Sequence, residues 1–590
     1  MSKSRITVLL VILLIVACVV CFLTGCTSKY ENKSNSPGNQ ISSNAEEVII
    51  PENVDLIGSN YDFTTNGETT ILLSNSTATV NGSGATISND SNGTTIEITN
   101  AGTYHLKGKL EDGQIIVNAP SAKVKLILDN VSINSKNTSA IYVYKSEYTI
   151  IELASGTTNA LTYASTYQYS MNYSSEADSE PNATIYSKSD LIIDGTGALT
   201  LNGKHSNGII SKDNLKIVDA TLHVTAENNG INGKDSLIIQ NANITIDAKG
   251  DGLRSTNDTD TTLGFIQILD SDIKINAGED GIQAETNLAI SGGTLNITTG
   301  NGYTSQKSSD TSMKGMKAGK VITIDGASVE INANDDAIHS NGNVNILSGT
   351  YTIKTSDDGI HADETLVITS GDINIPYSHE ALEGDNIIIY DGNLDVTGTD
   401  DGINVNGGAN NAGMFGGFGG RGMNQNASSN TSTETASHQL VIKGGNIIVH
   451  SDGDGLDSNG SIEISGGTVI VYGPTNNGNG AIDYDGTFNI NGGTLIAIGA
   501  SGMAMSPSNT SSQSSLMYDV SNGKAGSEIV LKDVSGKEII KVTAEKQFSN
   551  VVISSPEMTS EGTYTLTIDG MEAVVTTGNA GFGRKRTRRI

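Results

Sequence analysis

The chain has 590 residues, of which 68 are Gly, 8 Phe, 3 Cys and none Trp. Its 65 acidic and 35 basic residues give a formal net charge of −30, a surface that repels phosphate, so nucleic acid is excluded as a partner. Three Cys exclude a disulfide scaffold, and 36% apolar content leaves a core of Ile, Val and Leu in short strands joined by tight turns.

Residues 1–25 read as an export signal. Lys3 and Arg5 precede an almost wholly apolar run over 6–23, which ends at Leu23-Thr24-Gly25-Cys26. This resembles a bacterial lipoprotein signal and implies Cys26 as the lipidated new N-terminus. The expected location is the extracellular face of the cell membrane, with the membrane a partner through the N-terminal lipid. An uncleaved anchor containing Cys18 and Cys21 is the other reading of the run. Residues 26–47 are polar and form a flexible tether.

Residues 48–150 hold strand-like stretches (TTIEIT, QIIVNAP, KVKLILDNVSI) without a regular glycine mark, and read as an N-terminal β cap with the first coils. From 151 to 498 a repeat of about 22 residues takes over. Gly208, Gly230, Gly252, Gly281, Gly315, Ala337, Gly359, Ala381, Gly402, Gly455 and Gly480 mark successive units, with insertions at 163–182, 256–264, 300–313 and 407–438. Each unit carries three short stretches of alternating apolar residues, as at Ile360, Leu366, Ile368, Ile373 and Ile375. No unit has enough apolar surface to fold alone, so units stack and share a core, which predicts an all-β parallel β-helix. The residue after each mark, from Ile209 to Leu456, then Ile482 after Ala481, forms one inward ladder. Tyr163, Tyr167, Tyr169 and Tyr173 in the first insertion are either a sugar-stacking lip or a loop packing its own rings. Residues 499–577 read as a last coil and a β-hairpin cap, and 578–590 as a basic tail.

The residue before each mark runs Asn207, Asn229, Asp251, Asp280, Lys314, Asp336, Asp358, Glu380, Asp401, Asp454, Asn479, with further acids at Asp335, Asp357 and Asp400. Asx-Gly suits turns, yet Asn serves a turn as well as Asp, and the central coils choose charge. Carboxylates about 5 Å apart repel by about 1 kcal/mol per pair in water and more where desolvated. Cations between them, or protonation, relieve this, and an all-oxygen set favours Ca²⁺. Asp280, Asp335, Asp336, Asp357, Asp358, Glu380, Asp400 and Asp401 are the expected ligands.

Two residues after each mark a second column faces outward, including Arg254, Lys317, His339, His361 and Glu383. A linear polysaccharide laid along it meets a polar group at nearly every rung, so these five are the expected substrate-binding residues. Calcium bridging to sugar carboxylates would let an acidic protein hold an acidic polymer.

The lipoprotein start, the stretch GTYHLKGKLEDGQIIVNAPSAKVKLILDNVSI, the (D/N)-(D/N)-G-I coils and GASGMAMSPSNTSSQSS at 499–515 together resemble the clostridial carbohydrate-binding domain family. The resemblance implies a calcium-bearing right-handed parallel β-helix similar to pectate lyases. It also implies binding of cellulose-like or polygalacturonate-like polysaccharide at the cell surface, without established catalysis. Two alternatives stay open. One is a calcium-dependent lyase using Lys317, Lys314 or Arg254 as base; the other is a structural spacer or adhesin.

Overall fold

Three short strands recur in each coil, and their lengths follow the apolar alternation. In one coil they are Ile282–Ala284, Asn287–Ser291 and Thr294–Thr299. Each pairs in parallel with its counterpart in the next coil, Met316–Ala318, Val321–Asp325 and Ala327–Ala333. The molecule is a parallel β-helix, as the 22-residue period requires. The computed structural model describes residues 68–91, 93–163, 173–175, 179–306, 311–406 and 438–578. Cys26, the tether, Tyr167, Tyr169, most of the 407–438 insertion and the last residues of the basic tail lie outside the described residues.

Coil length fixes register. Ile209, Ile231, Leu253, Ile282, Met316, Ile338, Ile360, Leu382, Ile403, Leu456 and Ile482 are successive Cα partners. None is more than 1% exposed. Fully burying one such side chain stabilises by about 1.5–3 kcal/mol over leaving it in water, so a slip by one residue, which turns the row outward, is strongly disfavoured. Insertions are absorbed between strands: the 29-residue step from Leu253 to Ile282 keeps the pairing.

The same ladder runs further toward the N-terminus than the glycine mark indicates. Ile96, Ile115, Ile141 and Ile185 precede Ile209 as parallel partners, all fully buried. Two antiparallel hairpins, Glu68–Asn75 with Thr77–Asn81 and Ala85–Asp90 with Gly93–Ile98, lead into these coils. At the other end Phe548–Ser554 runs antiparallel to both Thr494–Gly499 and Ser515–Gly523. A four-stranded antiparallel sheet follows, built from Glu528–Asp533, Glu538–Thr543, Thr563–Ile568 and Met571–Thr576. Ile529, Leu531, Val542 and Leu566 give this end an apolar core distinct from that of the coils.

The tyrosines divide differently from the lip expectation. Tyr163 is fully buried, so it cannot stack on a ligand. Tyr173 stacks on Tyr144 with ring centroids 4.5 Å apart. Its hydroxyl donates to Glu97 at 2.8 Å. The described rings pack on the protein.

Candidate functional site

The residue before each mark has a structural duty that binds successive coils. Asn207 Oδ1 accepts the backbone N–H of Asn229 at 3.1 Å, and Asn229 Oδ1 that of Asp251 at 2.8 Å. Asp251 Oδ1 accepts from Asp280, and Asp280 Oδ1 from Lys314. Asp336 serves Asp358, Asp358 serves Glu380, and Asp401 serves Asp454. One oxygen of each residue therefore closes a hydrogen-bond ladder that Asn supplies as well as Asp. Asn229→Ala leaves the buried Asp251 N–H without an acceptor and should cost about 1–3 kcal/mol. Asn229→Asp should retain most of the stability. Equal denaturant midpoints for Ala and wild type would remove this role.

The second carboxylate oxygen is what distinguishes Asp from Asn here. It faces the outward column three residues on, and in the first half of the stack it finds a protein cation. Asp251 Oδ2 lies 3.1 Å from Arg254, and Asp280 Oδ2 3.9 Å from Lys317. Lys314 reaches across one coil to pair with both Asp335 and Asp336. His339 Nδ1 is 2.9 Å from Asp336 Oδ2, and His361 Nδ1 is 3.3 Å from Asp358 Oδ2 and 3.1 Å from Glu383 Oε2. Burial works against the Asp336 anion, yet His339, Lys314 and His361 hold its carboxyl well below the usual range.

Further along the helix compensation fails. Among the described residues no Lys or Arg pairs with Glu380, Asp401, Asp454, Asp457 or Asp483, so burial and mutual repulsion act unopposed by a full cation. Burial, then Asp358, pushes Glu380 up to about 8. Burial pushes Asp401 up to about 6 and Asp457 to about 7, with neighbouring acids adding to both. Asp454 and Asp483 are raised for the same first reason. Asn404, 8% exposed, donates from Nδ2 to Glu380 Oε2 at 2.8 Å, and among the described residues its Oδ1 has no hydrogen-bond partner.

The outward column is continuous in register. Asn232, Arg254, Gln283, Lys317, His339, His361, Glu383, Asn404, Asp457 and Asp483 are successive Cα partners. These outward side chains are half-buried or buried, whereas outward positions on the strand Asp272–Ala277 are exposed. The column is a recessed row some ten rungs long. At its N-terminal start a cavity of about 250 Å³ is lined by Glu180, Asn207, Lys212, Asn229, Asn232 and Lys234, among others.

Two stretches of this chain, residues 92–359 and 355–421, match one family model, described as carbohydrate-binding domain-containing protein. The chain belongs to that family. A family member from Acetivibrio thermocellus with the same description is 41% identical over 206 residues, covering 35% of this chain and 71% of the relative. A solved structure described as the polysaccharide lyase-like protein from C. thermocellum, a gadolinium derivative, is 31% identical. It covers 44% of this chain and 97% of its own, with a TM-score of 0.39.

For this family member the expected metal ligands fall into separate groups. Ligand atoms of Asp335, Asp336 and Asp357 lie within 4.8 Å of one another, as do those of His379, Glu380 and Asp400. Asp280 is not brought to either group. Its carboxylate accepts from Ser312 Oγ and the Lys314 N–H and faces Lys317. Between Asp335 and Asp336 the neutralising cation is the Lys314 ammonium. The sequence reading admitted only bound cations or protons as relief; a lysine from the preceding coil is a third route.

The outward residues need a similar correction. Arg254, His339, His361 and Glu383 were expected to offer free groups to a polymer, but each turns toward a carboxylate or histidine of its own column pair. Lys314 is unfit as a lyase base: it is buried, and Asp336 and Asp335 raise its pKa despite desolvation. Arg254 is tied to Asp251, which leaves Lys317 as the best-placed of the three. Asp454, Asp457 and Asp483 belong to the same uncompensated stretch and are not among the expected ligands. The signal for them in the sequence is the absence of any Lys, Arg or His at the equivalent positions of those coils.

Proposed function

We propose that this protein is a lipid-anchored surface receptor for a linear polysaccharide, held along the recessed outward row with calcium as a bridge. The observation that carries the reading is the unbroken register of partly buried polar side chains from Asn232 to Asp483. An extended polymer meets a fresh polar group about every 4.8 Å along such a row. Family membership and the description shared with the Acetivibrio thermocellus relative support carbohydrate as the ligand class.

Calcium fits the uncompensated stretch better than the compensated one. Glu380, Asp400, Asp401, Asp454, Asp457 and Asp483, with Asn404 Oδ1, offer hard oxygen donors, and among the described residues no Lys or Arg pairs with them. A bound calcium ion would supply positive charge shared between these oxygens and a uronate carboxylate. The chain's own residues hold the ion's place and orient the polymer through Lys317 and Asn232. At the N-terminal end, Lys234 lines the head of the row beside the Lys212–Glu180 ion pair.

The test is retention of the full-length protein on insoluble polygalacturonate and on cellulose, with calcium and then with chelator. Binding should require calcium on polygalacturonate, and Asp401→Asn with Asp457→Asn should weaken it at least tenfold. Retention that is unchanged by chelator and by the double substitution would remove the calcium bridge. Accumulation of ultraviolet-absorbing unsaturated ends, lost in Lys317→Ala, would replace the receptor reading with a lyase. No retention on any polysaccharide would leave the spacer.

A further inference from the structure

The two histidines of the outward row are arranged unlike a pair of sugar-binding groups. They occupy successive rungs, with ring centroids 4.7 Å apart. Both are largely withdrawn from solvent, at 12% and 19% exposure. Their Nε2 atoms point one way: His339 Nε2 is 3.1 Å from Asn341 Oδ1, and His361 Nε2 is 3.3 Å from Asp363 Oδ1. Acceptors at these positions place the proton on Nε2 and leave the Nδ1 lone pair facing the other way.

On that other side, among the described residues, lie carboxylate oxygens and the Lys314 ammonium. His339 Nδ1 is 2.9 Å from Asp336 Oδ2, while His361 Nδ1 is 3.3 Å from Asp358 Oδ2 and 3.1 Å from Glu383 Oε2. At these distances neither Nδ1 has a hydrogen-bond partner among the described residues: the atoms converge without aligning on one another. Lone pairs pointed together repel unless an imidazole takes up a second proton or a metal cation sits between them. A tetrahedral ion with bonds of about 2.0–2.2 Å spaces its ligand atoms about 3.3–3.6 Å apart, so the separations found need to open by only a few tenths of an ångström. Ligand atoms of Asp336, His339 and His361, and of Asp358, His361 and Glu383, each fall within 4.8 Å of one another, so His361 is common to both sets.

Charge points the same way. The carboxylates of Asp335, Asp336, Asp358 and Asp363 outnumber the Lys314 ammonium beside the two imidazoles, so negative charge is in excess when the imidazoles are neutral. A divalent ion offsets part of it. Calcium takes oxygen ligands, whereas imidazole nitrogen with carboxylate suits zinc and its neighbours. Asp363 and Asn341 then act as the partners that orient ligating imidazoles through their second nitrogen.

We infer that His339 and His361, with Asp336, Asp358 and Glu383, form a site for one divalent transition-metal ion of the zinc class. The site is chemically separate from the calcium stretch, and it does not depend on the polysaccharide reading.

The test strips the purified full-length chain of metal and dialyses it against zinc in the presence of millimolar calcium. One zinc ion per chain should be retained. His361→Ala should lower affinity by more than ~100-fold, and Asp363→Asn by about 10–100-fold, the usual effect of losing an orienting partner. Cobalt in place of zinc should give a visible absorption band in the wild type that His361→Ala lacks. Metal-free unfolding temperatures establish that the variants are folded. Should they not fold, the cobalt band and the calcium competition on the wild type decide alone. The inference is overturned if the His339→Ala/His361→Ala double variant binds zinc as the wild type does, or if millimolar calcium displaces the zinc. Polysaccharide retention is measured separately, so the two readings fail independently.

Discussion

Stripped of divalent cations, the protein should lose thermal stability as pH rises from about 5 to about 8, and millimolar calcium should abolish most of the loss. The sign follows from the uncompensated carboxyls. Burial pushes Asp401 up to about 6, Asp457 to about 7 and Glu380 to about 8, against about 4 in an unfolded chain. Between those limits the folded state holds protons that the unfolded state has released. Their contribution is complete below about pH 4 and is lost as pH climbs through the folded values, at no more than about 1.4 kcal/mol per group per pH unit. His361 acts in the same direction: burial pulls its pKa down, but Asp358 and Asp336 outweigh that and raise it. Groups lowered by partners, such as Glu180, held at about 2 by Lys188 and Lys212 despite burial, act at lower pH and leave this window clear.

Calcium replaces the protons with a cation that does not leave as pH rises. The stabilisation it brings should therefore grow with pH, the reverse of the metal-free trend. Melting curves at pH 5, 6, 7 and 8 in chelator and in calcium measure both slopes. Asp457→Asn should flatten the chelator slope, because Asn has nothing to ionise. A metal-free profile that is flat or rises with pH would contradict the burial argument. A falling profile that calcium leaves unchanged would place the ion elsewhere.

Gly281→Val should destabilise the helix by about 3 kcal/mol or more, near the upper end of the cost of overfilling a packed interior. A Cβ at Gly281 meets Ile297 Cγ2 at 2.4 Å and the Gly315 carbonyl oxygen at 2.5 Å. The carbonyl belongs to the next coil's backbone and accepts the Ile282 N–H at 3.1 Å, so it cannot retreat without opening the ladder. Gly230, Gly252 and Gly402 meet the same backbone oxygen of the following coil at 2.6–2.7 Å. Ala337 and Ala381 show that two coils hold one methyl at this position, so Gly281→Ala should cost distinctly less than Gly281→Val. Equal unfolding temperatures for Val and wild type would remove close approach as the reason for the glycine.

That reason differs from the one the sequence suggests. Asx-Gly reads as a turn with glycine in the left-handed region, yet none of the marking glycines has positive φ. The glycines that do, such as Gly292 and Gly293 at +68° and +77°, sit in the turn between the second and third strands. The mark therefore records contact between coils, which is invisible in any one unit.

The sequence by itself determined the stack, because a period equal to one coil places every repeated residue above its predecessor. The inward ladder from Ile209 to Ile482 and the outward row from Asn232 to Asp483 both follow from counting. The coils before residue 200 escaped that count because Ile96, Ile115, Ile141 and Ile185 are irregularly spaced and none follows a glycine. Only the tertiary structure decided how the acids are neutralised. Lys314 reaching Asp335 and Asp336, the histidines turned to Asp336 and Asp358, and the bare stretch from Glu380 to Asp483 all depend on side-chain reach between rungs. A column of letters gives the charges. Whether each is paired or stranded depends on distances of a few ångströms and on the burial around it.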